Sequence, residues 1–175
     1  MKDLLKIISF LLIIAIPFEK KLLANDIYFV DYSKVMNEST AGKKAQDYLK
    51  SLLKNSNKKF SETAKKLKDE ENKIISQKNA LSKEEYKKKA DALRKKVFEL
   101  NKEREKSIKE VAKKRKKAGD EMLKNLNPIL GNYMKENNIS VVIDKKNVLM
   151  GDKKFEITSQ IIEILNKEFK SINLN

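Results

Sequence analysis

The sequence predicts an α+β fold that is mostly α: a small β body for oligomerisation, a long antiparallel helical coiled-coil hairpin, and a C-terminal helix. Three features predict it. An apolar repeat with a period of about 3.5 residues occupies the centre of the chain, short β-branched runs lie on both sides of it, and few helix breakers interrupt residues 43–117. The charged fraction of 37% exceeds the roughly 25% of ordinary globular proteins, so one compact core does not describe the whole chain.

The first residues have the pattern of a secretory signal peptide. Lys2 and Lys6 precede a largely apolar run at residues 7–18, and a short charged segment leads to Ala24. As a helix, the apolar run is too short to cross a hydrocarbon core of about 30 Å. We therefore expect residues 1–24 to be a signal peptide that is cleaved near Ala24, and an uncleaved anchor is the alternative.

The next segment predicts a buried strand followed by a long helix. Residues 27–30 are apolar, β-branched and aromatic, and Asp31 ends the run. From residue 41 to about 77, small and apolar residues recur at helical spacing, and Gly42 is almost the only helix breaker.

A second helix is predicted to begin after Ser82, because Ser82 and Glu85 have the spacing of a capping box. Its predicted seam alternates steps of four and three residues, which is the repeat of a coiled coil. The seam positions are Tyr86, Ala90, Leu93, Val97, Leu100, Arg104, Ser107 and Val111, of which Arg104 and Ser107 are polar. Two such helices joined by a short turn are expected to fold back as an antiparallel hairpin. The second helix continues through Pro128, where we expect a kink, and Asn137 and Asn138 can end it.

The C-terminal part predicts two more strands and a last helix. The strands are expected at residues 139–143 and 147–150, around a tight turn, and Thr158 is expected to cap the helix. The predicted organisation is a signal peptide at 1–24, an oligomerisation body at 25–42 and 118–175, and a hairpin arm at 43–117. A body of roughly 75 residues with short, open-edged strands is marginal as a monomer, so we expect a homo-oligomer.

Charge divides the mature chain sharply. Residues 43–117 contain 27 Lys or Arg and 12 Asp or Glu, whereas the rest of the mature chain contains 9 and 11. The most basic stretch is KEVAKKRKKAG at residues 109–119. It is either a solvated helix face or a surface that attracts anionic lipid or an acidic protein. Because little nucleic acid is present outside the cytoplasm, export argues against a nucleic-acid partner.

The composition argues against an enzyme. The chain has no histidine and no cysteine, so it lacks the commonest general base, the usual transition-metal ligands, thiol nucleophiles and disulfides. Residues 41–44 do not form a phosphate-binding loop, since the earlier glycine and the following Ser or Thr are missing. We predict no catalytic residue, no metal and no cofactor.

The arm carries the candidate binding residues. Most of its repeat is explained by packing of one helix on the other, but polar and basic residues interrupt the repeat, so the arms should splay more easily than a leucine-rich coil. We predict that an irregular apolar partner contacts the aromatic and aliphatic side chains while nearby lysines set the field. The predicted apolar contacts are Phe60, Ile74, Ile75, Tyr86 and Phe98, and the lysines are Lys87, Lys88, Lys95 and Lys96.

Short motifs at both ends of the mature chain resemble the Skp/OmpH family of periplasmic chaperones. They are the signal peptide, IYFVD at 27–31, STAGK at 39–43, VVID at 141–144 and EIT at 156–158. The resemblance implies a periplasmic homotrimer in which three helical arms enclose a cavity and hold unfolded outer-membrane proteins without ATP. Some members bind lipopolysaccharide through basic residues on the arm, but the lysines here are too numerous for a particular set to be matched.

Two other functions stay open at this point. A structural protein of the cell envelope could use the hairpin as a spacer and dock its basic face on anionic lipid. A basic coiled coil that binds nucleic acid would require the signal-peptide assignment to be wrong.

Overall fold

The computed structural model describes residues 26–174, and the predicted signal peptide lies outside this range. Helices dominate, with two short strands beside them. The elements in chain order are β1 (Ile27–Val30), α1 (Tyr32–Glu38), α2 (Thr40–Ser76), α3 (Lys83–Glu136), β2 (Val141–Asp144) and α4 (Thr158–Glu168), with 3-10 turns at Lys145–Asn147 and Lys153–Phe155.

The two long helices begin where side chains can cap them. The Ser39 hydroxyl accepts a hydrogen bond from the Gly42 amide at the start of α2. At the start of α3, the Ser82 hydroxyl accepts from the Glu85 amide and the Glu85 carboxylate accepts from the Ser82 amide, which confirms the predicted capping box. The pKa of the Glu85 carboxyl is lowered, mainly because the carboxylate accepts a hydrogen bond of 2.7 Å from the Ser82 hydroxyl and also because it accepts the one from the Ser82 amide.

The long helix α3 is continuous through Pro128 and ends at Glu136. Asn138 has a φ of 54°, which confirms the predicted left-handed residue after the helix. The expected kink at Pro128 stays a prediction.

The short helix α1 was not predicted. Asp31 caps it by accepting a hydrogen bond from the Lys34 amide, and its last turn closes when the Ser39 amide donates to the Val35 carbonyl. Ser39 therefore ends α1 and begins α2. With only seven residues, α1 is too short to show a clear apolar period in the sequence.

The sheet has two parallel strands, with Ile27 opposite Val141 and Val30 opposite Asp144. The prediction of a third strand at residues 147–150 is wrong for this chain, and so is the hairpin around it. At the other edge of β1, Phe29 forms a single parallel bridge with Glu156.

Local capping also diverts the chain on both sides of the predicted third strand. The Asp144 and Asp152 carboxylates each accept from the backbone amide two residues further on and start a 3-10 turn. The side chains of Leu149 and Met150, between the two turns, are 103% and 93% exposed.

Thr158 does not cap α4 as predicted. Ile157 occupies the cap position without a side-chain hydrogen bond, and Thr158 is the first helical residue. The Thr158 hydroxyl accepts from the Asp31 amide at 2.9 Å and donates to the Glu156 carboxylate at 3.1 Å. It therefore ties the end of β1 to the start of α4, a tertiary role that spacing in the sequence does not reveal.

The main core lies where α1, α3, α4 and β1 meet. Met122, Ile161 and Leu165 have no exposed surface. The buried members are Val30, Val35, Ala41, Met122, Leu126, Ile129, Ile157, Ile161 and Leu165. All of them belong to the segments predicted to form the body, whose division from the arm stays a prediction.

Glu156 makes the stability of this core sensitive to acid. Lys145 contacts both of its carboxylate oxygens at 2.9 and 3.0 Å, and this hydrogen bond is the main cause of a lowered Glu156 pKa. Because the folded-state pKa lies below the unfolded value, the contribution to stability is complete above the unfolded pKa of about 4.3 and is lost as the pH falls through the folded pKa. Urea denaturation should therefore show Glu156→Gln to be destabilising at about pH 6 and less destabilising at about pH 3, below the unfolded pKa.

The control for this prediction is Glu163→Gln. Glu163 pairs with Lys167 on the surface of α4, and both side chains are 71% exposed, so its loss should change the free energy of unfolding very little. An equal cost for Glu156→Gln at both pH values would contradict the prediction.

Candidate functional site

The helices α2 and α3 lie side by side in opposite directions between residues 50 and 110. Lys59 pairs with Glu103 at 3.2 Å, and further along α2, Glu70 pairs with Lys96 at 2.7 Å. As α2 advances, its partners on α3 come earlier in the chain, which is the geometry of an antiparallel hairpin.

Polar residues in the predicted seam are paired across the hairpin. The Ser107 hydroxyl donates to the Ser56 hydroxyl at 3.1 Å. The Arg104 guanidinium lies 5.9 Å from the centre of the Phe60 ring and makes a long hydrogen bond of 3.5 Å to the Phe60 carbonyl. Leu100 and Val111 are the buried apolar members of the seam. The helices thus pack through a few apolar contacts separated by polar ones.

One flank of the hairpin carries a long groove made of three adjoining cavities. The section nearest the body has a volume of about 400 Å³, the middle section about 640 Å³ and the section nearest the tip about 190 Å³. Ala64 and Arg104 line both the first and the middle sections, and Leu93 and Arg94 line both the middle and the tip sections. The three cavities are therefore continuous, and we call them the long groove.

Between residues 50 and 110, the exposed large apolar side chains all lie on the long groove. Between residues 50 and 110 the large apolar side chains with the greatest exposure are Phe98 and Ile108 at 65%, Ile75 at 55%, and Val97 and Leu53 at 40%. Leu53 and Ile108 line the section nearest the body, Val97 and Phe98 the middle, and Ile75 the tip. A row of exposed apolar side chains on one flank is typical of a binding surface.

The opposite flank has a different character. Its groove, of about 520 Å³, is bordered by Lys95, Lys96, Glu99 and Glu103, and none of the exposed large apolar side chains lines it. The exposed large apolar side chains between residues 50 and 110 therefore lie on one flank. The other groove is also lined by Thr63, Leu67, Ala92 and Leu100, and we call its side the charged flank after the four charged side chains that border it.

The structure brings together all five apolar residues that the sequence predicted. Phe60 lines the long groove near the body, Phe98 lines its middle, and Ile74, Ile75 and Tyr86 line its tip. Phe60 and Ile74 are nearly buried and form part of the floor, whereas Ile75 and Phe98 are exposed. Their role in binding stays a prediction.

The four predicted lysines do not lie with these apolar residues. Lys95 and Lys96 line the groove on the charged flank. Lys87 and Lys88 are exposed and are not among the residues that line the tip section of the long groove. Lys96 is held by Glu70. These lysines can act on a partner in the long groove through their field rather than by direct contact.

Sequence reasoning missed Leu53 and Ile108, and it assigned Val97 only to packing between the helices. Leu53 and Ile108 stand beside the seam rather than on it, and a helical-wheel projection of α3 would have placed Ile108 with Phe98. No such projection pairs Leu53 with Ile108 across the hairpin, because that depends on the axial register of the two helices.

Charged groups on the long groove are largely paired with neighbours. Lys68 contacts Glu71 at 2.8 Å, and Arg94 contacts Asp91 at 2.7 Å. The groove floor therefore presents apolar side chains between neutralised pairs. This arrangement can hold apolar segments of a partner.

Residues 26–174 contain neither a metal site nor a membrane-spanning helix. No group of acidic side chains in this range is arranged to hold a metal ion. Within the same range, every helix is too short or too polar to cross a membrane.

Comparisons with known proteins place the fold. A family model described as Outer membrane protein (OmpH-like) matches residues 26–165. A comparison with the curated proteins finds no match. Among solved structures, the chain is similar to the crystal structure of a candidate outer membrane chaperone (OmpH-like) from Caulobacter crescentus CB15, with a TM-score of 0.76 and 18% sequence identity. The likeness covers 84% of this chain and 87% of that one, and at this identity it establishes a shared fold.

Proposed function

Because the chain belongs to the family of OmpH-like outer membrane proteins, we propose that it is an ATP-independent holdase chaperone of the periplasm. In this role it binds unfolded outer-membrane β-barrel proteins in a cavity between helical arms and prevents their aggregation. The observation that carries this proposal is the long groove, on which the exposed large apolar side chains between residues 50 and 110 lie.

The groove suits an extended client segment. Strands of an outer-membrane barrel alternate apolar and polar residues, so an unfolded strand offers an apolar side chain at every second position. Apolar side chains spread along the groove can contact such a segment weakly at several points. Several weak contacts together retain a client, whereas each contact alone breaks easily, so the client can leave without ATP.

The charge of the arm supports capture at a distance. The arm carries 27 basic and 12 acidic residues, and its exposed lysines create a positive field around the apolar groove. Acidic client segments are drawn into that field, and salt weakens the attraction. The lysines Lys87, Lys88, Lys95 and Lys96 would contribute in this way.

The body offers a surface for oligomerisation. Leu149 and Met150 are fully exposed in the single chain, and Ile27 and Val141 at the start of the strands are 55% and 43% exposed. Apolar surface of this kind is typical of an interface between copies. We propose a homo-oligomer joined through the body, with the trimer that the family resemblance implies, so that the arms surround a shared cavity.

The direct test is light scattering after an unfolded outer-membrane barrel protein is diluted from urea. The mature chain, residues 25–175, is added without nucleotide, and its oligomeric state is measured in the same samples. We expect scattering to be suppressed at about one oligomer per client and to return partly at high salt.

Unchanged scattering with a folded, oligomeric protein would refute the chaperone function. Docking on anionic lipid would then become the leading function. Binding to acidic vesicles, measured with and without high salt, would test it, and lipopolysaccharide added to the same assay would show whether it is also a partner.

A further inference from the structure

The C-terminal segment, residues 169–174, lies outside the part of the chain that the family model matches, which ends at residue 165. It follows α4, which ends at Glu168, and leaves that helix through Phe169 in an extended conformation. The segment has no regular secondary structure, yet Leu174 is only 6% exposed. Its position therefore depends on tertiary contacts.

The first part of the segment packs against the body. Phe169 and Ile172 contact the main core. Just before the segment, the Asn166 side chain accepts a hydrogen bond of 2.7 Å from the backbone amide of Thr40, the first residue of α2. This end of the chain is thus joined to the point where the first arm helix leaves the body.

The last part of the segment packs against both helices of the hairpin at its root. Leu174 is buried with Ala45 and Leu49 of α2 and with Ala118 of α3. The Lys114 ammonium donates a hydrogen bond to the Leu174 carbonyl and lies 5.7 Å from the centre of the Tyr48 ring. A few residues therefore bridge the body core, α2 and α3.

We propose that the C-terminal segment is a strap that holds the root of the hairpin against the body and so sets the direction in which the arm leaves it. The segment acts through Ile172, which contacts both buried clusters, and through Leu174, which closes the second. Without the strap, Ala45, Leu49 and Ala118 would lose the side chain that covers them, and the arm could bend where the continuous helix α3 leaves the core near Ala118.

The strap is not packed tightly along its length. A cavity of about 240 Å³ lies between it and α2, lined by Lys44, Ala45, Tyr48, Ile172, Asn173 and Leu174. Since there is free volume beside it, the strap can shift without unfolding the core. We infer that it limits the range of arm directions while allowing some movement.

The absence of cysteine from the chain makes a direct measurement possible. Asn79→Cys at the hairpin tip and Ser159→Cys on α4 are both at exposed positions, and spin labels on them report the distance from tip to body. Labelled chains are mixed with an excess of unlabelled chains, so that distances are measured within one subunit. The distance distribution is then compared in the mature protein, in Leu174→Ala, in a deletion of residues 170–175, and in the control Ser171→Ala.

Ser171 is exposed within the same segment, so Ser171→Ala should leave the distribution unchanged. We expect Leu174→Ala and the deletion to widen it roughly twofold while circular dichroism shows the same helix content. An unchanged distance distribution in Leu174→Ala would overturn the proposal. If the deletion variant does not fold, the result for Leu174→Ala is sufficient to test the proposal. No client is present in the measurement, so its outcome is independent of the chaperone function.

Discussion

The triple variant Ile75→Ser, Phe98→Ser and Ile108→Ser should lose most of its affinity for unfolded clients. These residues carry exposed apolar surface in the three sections of the long groove. If a client buries part of each side chain, each contact is worth about 1 kcal/mol. Losing three such contacts corresponds to affinity about 100-fold weaker. Light scattering of a diluted barrel protein, titrated with each chaperone variant, measures the effect.

The fold of this triple variant should be preserved. Because the three side chains are mostly exposed, replacing them removes little packing, and we expect the free energy of unfolding to change by about 1 kcal/mol or less. None of the substitutions changes the charge of the arm, so the field that attracts acidic segments is retained. A loss of holding activity would therefore be assigned to the apolar groove.

The matched control is the double variant Thr63→Ser and Ala92→Ser on the charged flank. Both residues line the opposite groove, and both substitutions leave the net charge unchanged. This variant should hold clients as the unmodified protein does. If instead the control loses activity and the triple variant keeps it, clients bind on the charged flank and the assignment of the long groove is wrong.

Gly42→Ala should cause the largest loss of stability from a single methyl group. A Cβ atom at position 42 would lie 2.2 Å from the Met36 carbonyl oxygen and 2.9 Å from the Ser39 hydroxyl oxygen. The carbonyl belongs to the backbone of α1 and cannot rotate away, so the junction between α1 and α2 must open. We expect a cost of about 3 kcal/mol, measured by urea denaturation.

Gly131→Ala, in contrast, should stabilise the protein. Gly131 lies in α3, and no atom stands within 4 Å of the Cβ that alanine would add. Alanine favours the helix over glycine by about 1 kcal/mol, so this variant should be more stable than the unmodified protein. Equal stability of the two variants would show that the close approach at Gly42 does not constrain the junction.

Local signals were sufficient to predict the long helices and their ends. Ser39, Ser82 and Asn138 act through atoms within a few residues of themselves, so their roles can be inferred from spacing along the chain. The resemblance to the Skp/OmpH family rested on short motifs at both ends, and the family match over residues 26–165 confirms it.

Predictions failed where a residue had a choice between local and distant partners. Residues 147–150 have the composition of a strand, but the 3-10 turn that Asp144 caps at Lys145–Asn147 replaces the tight turn that would have returned them along β2. Thr158 has the position of a cap, but its hydroxyl bonds to the Asp31 amide, 127 residues away in the sequence. A single sequence does not show which distant group competes for a hydrogen bond.

By itself the sequence determined two basic helices of matching period, where they begin and end, and which apolar residues are candidates for binding. Only the tertiary structure decided that Leu53 of α2 joins Ile108 and Phe98 of α3 on one flank. The physical reason is that periodicity specifies the face of each helix separately, whereas a groove between two helices depends on their axial register and relative rotation. Both are set by a few contacts across the hairpin, such as Ser56 with Ser107 and Glu70 with Lys96.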